Sequence, residues 1–245
     1  MKISFVLPVH NCAEFIHPAI DSCLKQSYDN VEVIVVDDFS TDSLPDYVAW
    51  AKKQGFASKV KFLRNEKNLG RSASRNIGNA AATGDIIAVL DADDLSMPKR
   101  AELTVARFKA ASLPSIGLAN NLLIHGGAYK TDAVGRDGGL APTDVFNKEK
   151  ALETLTAGII HSTVAYSKEL AMRYPYQEGE PARLGVDDFT LFMTMALDGV
   201  KFDYIPSALA AYRVNEFGIT NTRNAEEVEK FKRGFVDALR VGAPA

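Results

Sequence analysis

The sequence predicts an α/β protein built on a mostly parallel central sheet with helices on both faces. Three observations carry this expectation. Short β-rich apolar runs alternate with stretches of helical periodicity through the first hundred residues, the pattern of parallel strands joined by crossover helices. Aspartates stand directly after two of these runs. The 245 residues, 47% of them hydrophobic, can also fill one sizeable core.

The elements follow in order. Residues 3–9 form an apolar strand, and Phe15, Ile16, Ala19, Ile20, Cys23 and Leu24 recur behind it at helical spacing. Residues 31–36 are β-rich, 47–51 lie in a helical segment and 60–63 form a strand. A polar turn at 65–70 leads to an Ala-rich helix over 73–82, which Gly84 closes as a C-cap. Residues 86–90 form the next strand, and Pro98 stands where a first helical turn should begin.

Beyond residue 112 the alternation loosens. Residues 116–124 read as a strand, 126–143 as a mobile loop rich in Gly, Asp and small polar residues, 148–156 as a helix and 159–166 as a strand. A polar loop at 174–185 precedes a helix over 188–197. The tail, 225–241, gathers Val228, Phe231, Phe235, Ala238 and Leu239 on one face, with Lys230, Lys232, Arg233 and Arg240 largely elsewhere.

A net charge of −3 with both signs interspersed argues against nucleic acid as a partner. Cys12 and Cys23, about three turns apart on one predicted helix, are too distant to bridge. With no leader pattern before the run at 3–9, and no apolar stretch near the roughly 20 residues a membrane span needs, the chain reads as cytoplasmic. The tail helix leaves three uses open: peripheral attachment at the inner face of a membrane, self-association, or packing on its own core.

Ligands of parallel sheets bind outside the carboxyl ends of the strands. Asp37-Asp38 follows Val-Ile-Val-Val, and Asp91-Ala92-Asp93-Asp94 follows Ile-Ile-Ala-Val-Leu, so both groups should share one rim. Three carboxylates in four positions repel one another unless a cation or donors compensate, and oxygen ligands of this kind suit Mn²⁺ or Mg²⁺. Alone, the cluster reads equally well as caps for the helix opening at Pro98.

Four segments stand in register: Ser4-Phe5-Val6-Leu7-Pro8-Val9-His10-Asn11, Val35-Val36-Asp37-Asp38-Phe39-Ser40-Thr41-Asp42, Asn68-Leu69-Gly70 with Arg75-Asn76, and Leu90-Asp91-Ala92-Asp93-Asp94. In this the chain resembles the family 2 glycosyltransferases, strongly over about its first 110 residues. The resemblance implies the GT-A fold, with a Rossmann-like sheet and a C-terminal acceptor-binding region. It implies a nucleotide-sugar-binding half at 1–112, an acceptor-binding and catalytic-base half at 113–224 and a helical tail at 225–245.

It also implies inverting transfer of a hexosyl or N-acetylhexosaminyl group from a nucleotide diphosphate, by preference a UDP-sugar, to a glycan, lipid-linked or other hydroxyl acceptor. Bacterial surface polysaccharide synthesis is its usual setting. Carried over by position, Pro8, Val9 and Asn11 would line the nucleoside pocket, Asp38 would meet the base and Asp91 the ribose. Ala92 would lie beside them, Asp93 with Asp91 would hold the metal, and Asn68 and Arg75 would face the donor. For Asn68 and Gly70 a plain turn is the competing reading. The family usually has Tyr where His10 stands and Gly where Phe39 stands.

Inverting transfer needs a carboxylate to take the acceptor's proton. Asp187-Asp188 before Phe189-Thr190-Leu191-Phe192 resembles the family's acidic pair ahead of an apolar helix, with Asp188 at the base. The competing reading makes Asp187 an N-cap and Asp188 a favourable charge at a helix start. His161 resembles a position near sugar and acceptor and is equally a hydrogen-bonded structural histidine. Arg213 resembles a phosphate-reaching arginine and is equally a surface one. Two other classes share parts of the pattern. A phosphoacceptor receiver would start at the strand before Asp37, whereas here a strand and helix precede it. A sugar nucleotidyltransferase would carry a Gly-rich loop after its first strand.

Overall fold

The structure, a computed structural model, describes all residues except 54–57, 113–118, 133–135, 142, 215–221 and 241–245. In chain order the elements are β1 (Ile3–Val9), α1 (Ala13–Leu24), β2 (Val31–Asp37), α2 (Leu44–Lys53), β3 (Val60–Arg64), α3 (Arg71–Ala81), β4 (Ile86–Val89) and β5 (Leu95–Ser96). There follow α4 (Arg100–Ala111), β6 (Leu122–Thr131), β7 (Asp137–Leu140), α5 (Lys148–Thr154), β8 (Ala165–Ser167), α6 (Lys168–Arg173), α7 (Glu180–Arg183), α8 (Asp187–Leu197), β9 (Lys201–Arg213) and α9 (Ala225–Arg240).

The strands form one sheet ordered β3-β2-β1-β4-β8-β6-β9-β5, with β7 added to β6. The first four are mutually parallel, β6 and β9 are parallel, and β8 joins the two groups by antiparallel pairing to β4 and β6. All seven residues of β1 are buried, as a central parallel strand covered on both faces must be. Ile3, Phe5, Leu7 and Val9 point into a core with α1 and α4, and Val6 points to the opposite core with Ile34, Leu170 and Phe192. The α/β class expected from the sequence is thus met, with a sheet parallel over its first four strands and helices on both faces.

Register brings the acidic groups together. Val9 lies opposite Asp37, and Val6 opposite Val89, so Asp38 and Asp91 emerge on either side of the Pro8-Val9 end of β1. The one-sided reading of Asp91–Asp94 as helix caps does not hold. β5 intervenes, α4 starts only at Arg100, and its N-cap Lys99 makes no side-chain cap bond. Pro98 therefore sits in the turn before the helix.

Three expectations for the second half are corrected. Residues 126–143 are not a loop where described: they run through β6 and β7, and residues 133–135 and 142 lie outside the described set. Gly126 mimics a loop signal because β6 crosses β9 too closely for a side chain, so a Cβ there would lie 2.7 Å from Leu209 Cδ1 and 2.9 Å from the Ile205 carbonyl. Residues 159–166 are not one strand but a 3₁₀ turn at His161–Thr163 followed by β8. Of the strand expected at 116–124, residues 116–118 lie outside the described set and β6 begins at Leu122.

Gly84 is not a C-cap. The cap is Ala82, and Gly84 instead lets the chain pass Ser4 Oγ and the Lys2 carbonyl, which a Cβ would meet at 2.6 and 2.8 Å. The tail forms α9 up to Arg240, with Val241 outside the described set. Val228, Phe235 and Val236 are buried against Leu184, Phe189 and Met193, so this apolar face packs on the chain itself. Lys232 points into the fold rather than away from it. No helix among the described residues is long and apolar enough to cross a membrane.

Gly78 fixes how closely α3 lies on the sheet. A Cβ there would lie 2.5 Å from Val6 Cγ1 and 3.2 Å from Val36 Cγ2. Alanine adds about 1 kcal/mol of helix propensity, yet overpacking two stiff valines costs about 1–3 kcal/mol. Gly78→Ala should therefore lower the free energy of urea unfolding, and an unchanged or raised midpoint would contradict this packing.

Candidate active site

A cleft of about 570 Å³ opens at the carboxyl ends of β1 and β4. It is lined by Pro8, Val9, Arg75, Asp91, Ala92, Asp93, His161, Asp187, Asp188 and Arg213, all singled out from the sequence, and by Lys130, Arg223 and Lys232 among others. Asn11, Asp38 and Asn68 are not among its lining residues. They form an adjoining turn network.

In that network Asp38 is buried, and its carboxylate accepts from Asn65 Nδ2, Leu69 N and Gly70 N, each at 2.8 Å. Gly70 has φ +87°, and Asn68 Oδ1 also accepts from its N–H. The 68–70 segment is thus a turn tied to the end of β2. His10 Nδ1 lies 2.8 Å from the Asp38 carbonyl and must donate to it, which leaves Nε2 to accept from Asn11 and Asn68 amides at 3.2 Å. Phe39, at the position of the family's glycine, adopts φ +61° and stays exposed, with Arg64 over its ring.

Arg75 is the centre of the cleft floor. It rises from α3, is buried, and donates from Nη1 to Asp187 Oδ2 at 2.6 Å and from Nη2 to Asp91 Oδ1 at 2.7 Å. Its guanidinium lies over the Tyr176 ring. Asp187, at the start of α8, is also held by Arg71 and by Ser72 Oγ. Asp187 is therefore not the N-cap, which is Val186 with no side-chain cap bond.

Burial opposes charge on both aspartates, but Arg75 outweighs it, helped by His161 at Asp91 and by Arg71 at Asp187; both carboxyls stay below the usual range. His161 Nε2 bonds the Tyr176 hydroxyl at 2.7 Å, and its Nδ1 lies 3.9 Å from Asp91.

Asp93 and Asp94 diverge. Asp93 lines the cleft, and its carboxyl is raised to about 6, first by burial and then by the charge of Asp91. Asp94 turns inward, where Oδ1 accepts from Arg213 N at 2.8 Å. Arg213 is not a surface arginine: pairing of β5 with β9 brings it to the acidic loop, and Nε donates to the Asp93 carbonyl at 2.9 Å. Asp188 is half-buried on the cleft wall and accepts from Phe189 N.

Arg71, Ser72, Tyr176, Arg223 and Lys232 escaped the sequence reading. Arg71 and Arg75 at i,i+4 on one helix face were a usable signal, as was Lys232 within the apolar stripe of Val228 and Phe235.

Among the described residues no three His, Cys, Asp or Glu groups converge as a ready cage. A hard divalent cation held by one or two carboxylates plus substrate phosphates does not need one. Asp93, a cleft-facing carboxylate whose charge is opposed by burial and by a neighbouring aspartate, fits that role, with Asp91 beside it.

The chain has recognisable relatives. Residues 4–117 match Glycosyl transferase family 2. An uncharacterized glycosyltransferase of Nostoc sp. is 30% identical over 218 residues, 88% of this chain and 65% of the relative. The succinoglycan biosynthesis protein ExoO of Rhizobium meliloti is 39% identical over 109 residues, 44% of this chain and 30% of the relative. The chain thus spans less than two thirds of the length of either.

Among solved structures, Staphylococcus aureus TarS 1-349 in complex with UDP aligns over 100% of this chain and 67% of its own, with TM-score 0.71 and 18% identity. The Pyrobaculum calidifontis mannosyltransferase PcManGT, in complex with GDP-Man and Mn²⁺, aligns over 100% of this chain and 65% of its own, with TM-score 0.64 and 19% identity. Both likenesses are of fold.

The buried bridge yields a stability prediction. Asp187→Asn leaves Arg75 and Arg71 short of a carboxylate, and breaking a buried pair from one side costs about 3–5 kcal/mol. Urea unfolding should register that loss, and a change below about 1 kcal/mol would show that the bridge does not hold the cleft together.

Proposed function

We propose that the chain is a member of glycosyl transferase family 2, as the match over residues 4–117 and the similar glycosyltransferases support, and that it transfers a sugar from a nucleoside diphosphate to an acceptor hydroxyl with inversion. The observation that carries the reading is the convergence of Asp91, Asp93 and Asp188 on one cleft at the strand ends, joined through Arg75 and Asp187. In this reading the donor half is 1–112, the acceptor and base half 113–224 and the tail 225–245, of which α9 contributes Lys232 to the cleft wall. A UDP-sugar is the preferred donor, a reading supported by UDP in the TarS complex, although the mannosyltransferase of the same fold carries GDP-Man. The name of the succinoglycan relative supports a role in polysaccharide synthesis.

In this mechanism Asp188 takes the proton of the acceptor hydroxyl as its oxygen attacks the anomeric carbon. The bond from that carbon to the diphosphate oxygen breaks, and its electron pair leaves with the diphosphate. Asp93, with Asp91, would hold Mn²⁺ or Mg²⁺, which supplies neutralisation of the charge on the leaving group. Arg75 positions both carboxylate-bearing segments, keeping Asp91 ionised on one side and the start of α8 fixed on the other. Pro8, Val9 and Ala92 offer apolar surface to the nucleoside, while Asn11, Asp38 and Asn68 shape the turn beside it.

Two substitutions test the assignments separately. A thermal-shift panel of nucleotide-sugars with Mn²⁺ should show stabilisation by one donor that chelator abolishes, and Asp93→Ala should lose that metal-dependent shift. Asp188→Asn should keep the shift yet lower turnover about 10²–10⁴-fold, followed as nucleoside diphosphate release. Near-normal turnover of Asp188→Asn would remove it as the base, and a retained metal-dependent shift in Asp93→Ala would remove Asp93 as the metal ligand.

A further inference from the structure

The wall beside Asp188 carries two cations that the mechanism above does not use. Lys232 of α9 is half-buried, lies 4.5 Å over the Phe189 ring and donates to the Leu155 carbonyl at 2.9 Å. Arg223, just before α9 and also half-buried, donates from Nη1 to the Gly185 carbonyl at 2.6 Å. Both line the cleft, and among the described residues both donate only to backbone carbonyls, with no carboxylate bonded to either.

This is an unbalanced arrangement. Burial disfavours the Lys232 charge and Arg223 adds repulsion, while Asp188 is the acidic neighbour that opposes them. The other cleft arginines are committed: Arg71 and Arg75 to Asp187, and Arg213 to the Asp93 and Asp94 loop. Partly desolvated cations of this kind are stabilised by an anion that arrives with the ligand. A guanidinium fork beside an ammonium point charge matches the oxygens of a phosphate.

We propose that Lys232 and Arg223 form a phosphate subsite on the acceptor side of the cleft, so that the acceptor carries a phosphate close to the hydroxyl that reacts. The subsite rests on the reading of Asp188 as base, because its two cations flank the helix turn where that hydroxyl is received. In that reading the donor diphosphate would meet the divalent cation that Asp93 and Asp91 would hold, elsewhere in the cleft. The subsite also gives the tail helix a function, since α9 delivers Lys232 and its apolar face packs on α8.

Isothermal titration calorimetry on the full chain tests this, with inorganic phosphate titrated into protein alone and into protein saturated with UDP or GDP and Mg²⁺. Phosphate should still bind with the nucleotide in place. The double variant Lys232→Gln/Arg223→Gln should weaken that binding at least tenfold while nucleotide affinity stays within twofold, and Lys232→Arg, which keeps the charge, should retain it. Phosphate displaced by nucleotide, with nucleotide affinity falling tenfold in the double variant, would assign the cations to the donor's own diphosphate and overturn the proposal. Phosphate binding unaffected by the double variant would overturn it as well. Should neither nucleotide bind, the donor reading fails, and the nucleotide-free titration still decides the subsite.

Discussion

Arg75 holds one guanidinium between two carboxylates that belong to different halves of the sequence. Asp91 hangs from the end of β4, and Asp187 opens α8, 112 positions beyond the arginine. Burying charge is unfavourable unless it is paired and hydrogen-bonded; Arg75 and Asp187 are buried while Asp91 stays partly exposed, Arg71 and Ser72 also hold Asp187, and the face of Tyr176 covers the guanidinium. The consequence is geometric. Where Asp187 is fixed, its neighbour Asp188 is fixed too, and it faces the acidic loop across a cleft.

The same interaction sorts the aspartates by role. Asp91 and Asp187 are held ionised by arginine, so they are structural charges first. Asp94 faces inward and ties β9 to the loop through the Arg213 amide. Asp93 is left facing the cleft with burial and Asp91 both opposing its charge. A run of four residues thus divides into a clamp, a spacer, a carboxylate facing the cleft and an interior tie. That division is why the loop suits a cation shared with a substrate rather than one caged by protein.

Much of the first half was legible in the sequence, and the reason is burial. Strands covered on both faces, such as β1 and β2, must be nearly all apolar, and the aspartates that break off those runs must lie on the rim. The second half was harder because its strands carry other signals. β8 has only three residues, and Gly126 marks a close crossing of β6 and β9 that looks like a loop. Gly84 likewise looked like a cap and proved to be a point of close approach. Asp188 could be placed because a helix start announces itself, whereas the partner of Asp187 could not, since no local pattern encodes a contact between α3 and α8.

A donor site assembled around the Arg75 bridge is the central proposal for this protein, and crystals grown with UDP and Mn²⁺ test it most directly. Anomalous scattering should place Mn²⁺ at the Asp93 carboxylate, within coordination distance of diphosphate oxygens, with Arg75 still joining Asp91 to Asp187. Manganese bound away from Asp93, or nucleotide bound outside this cleft, would contradict it.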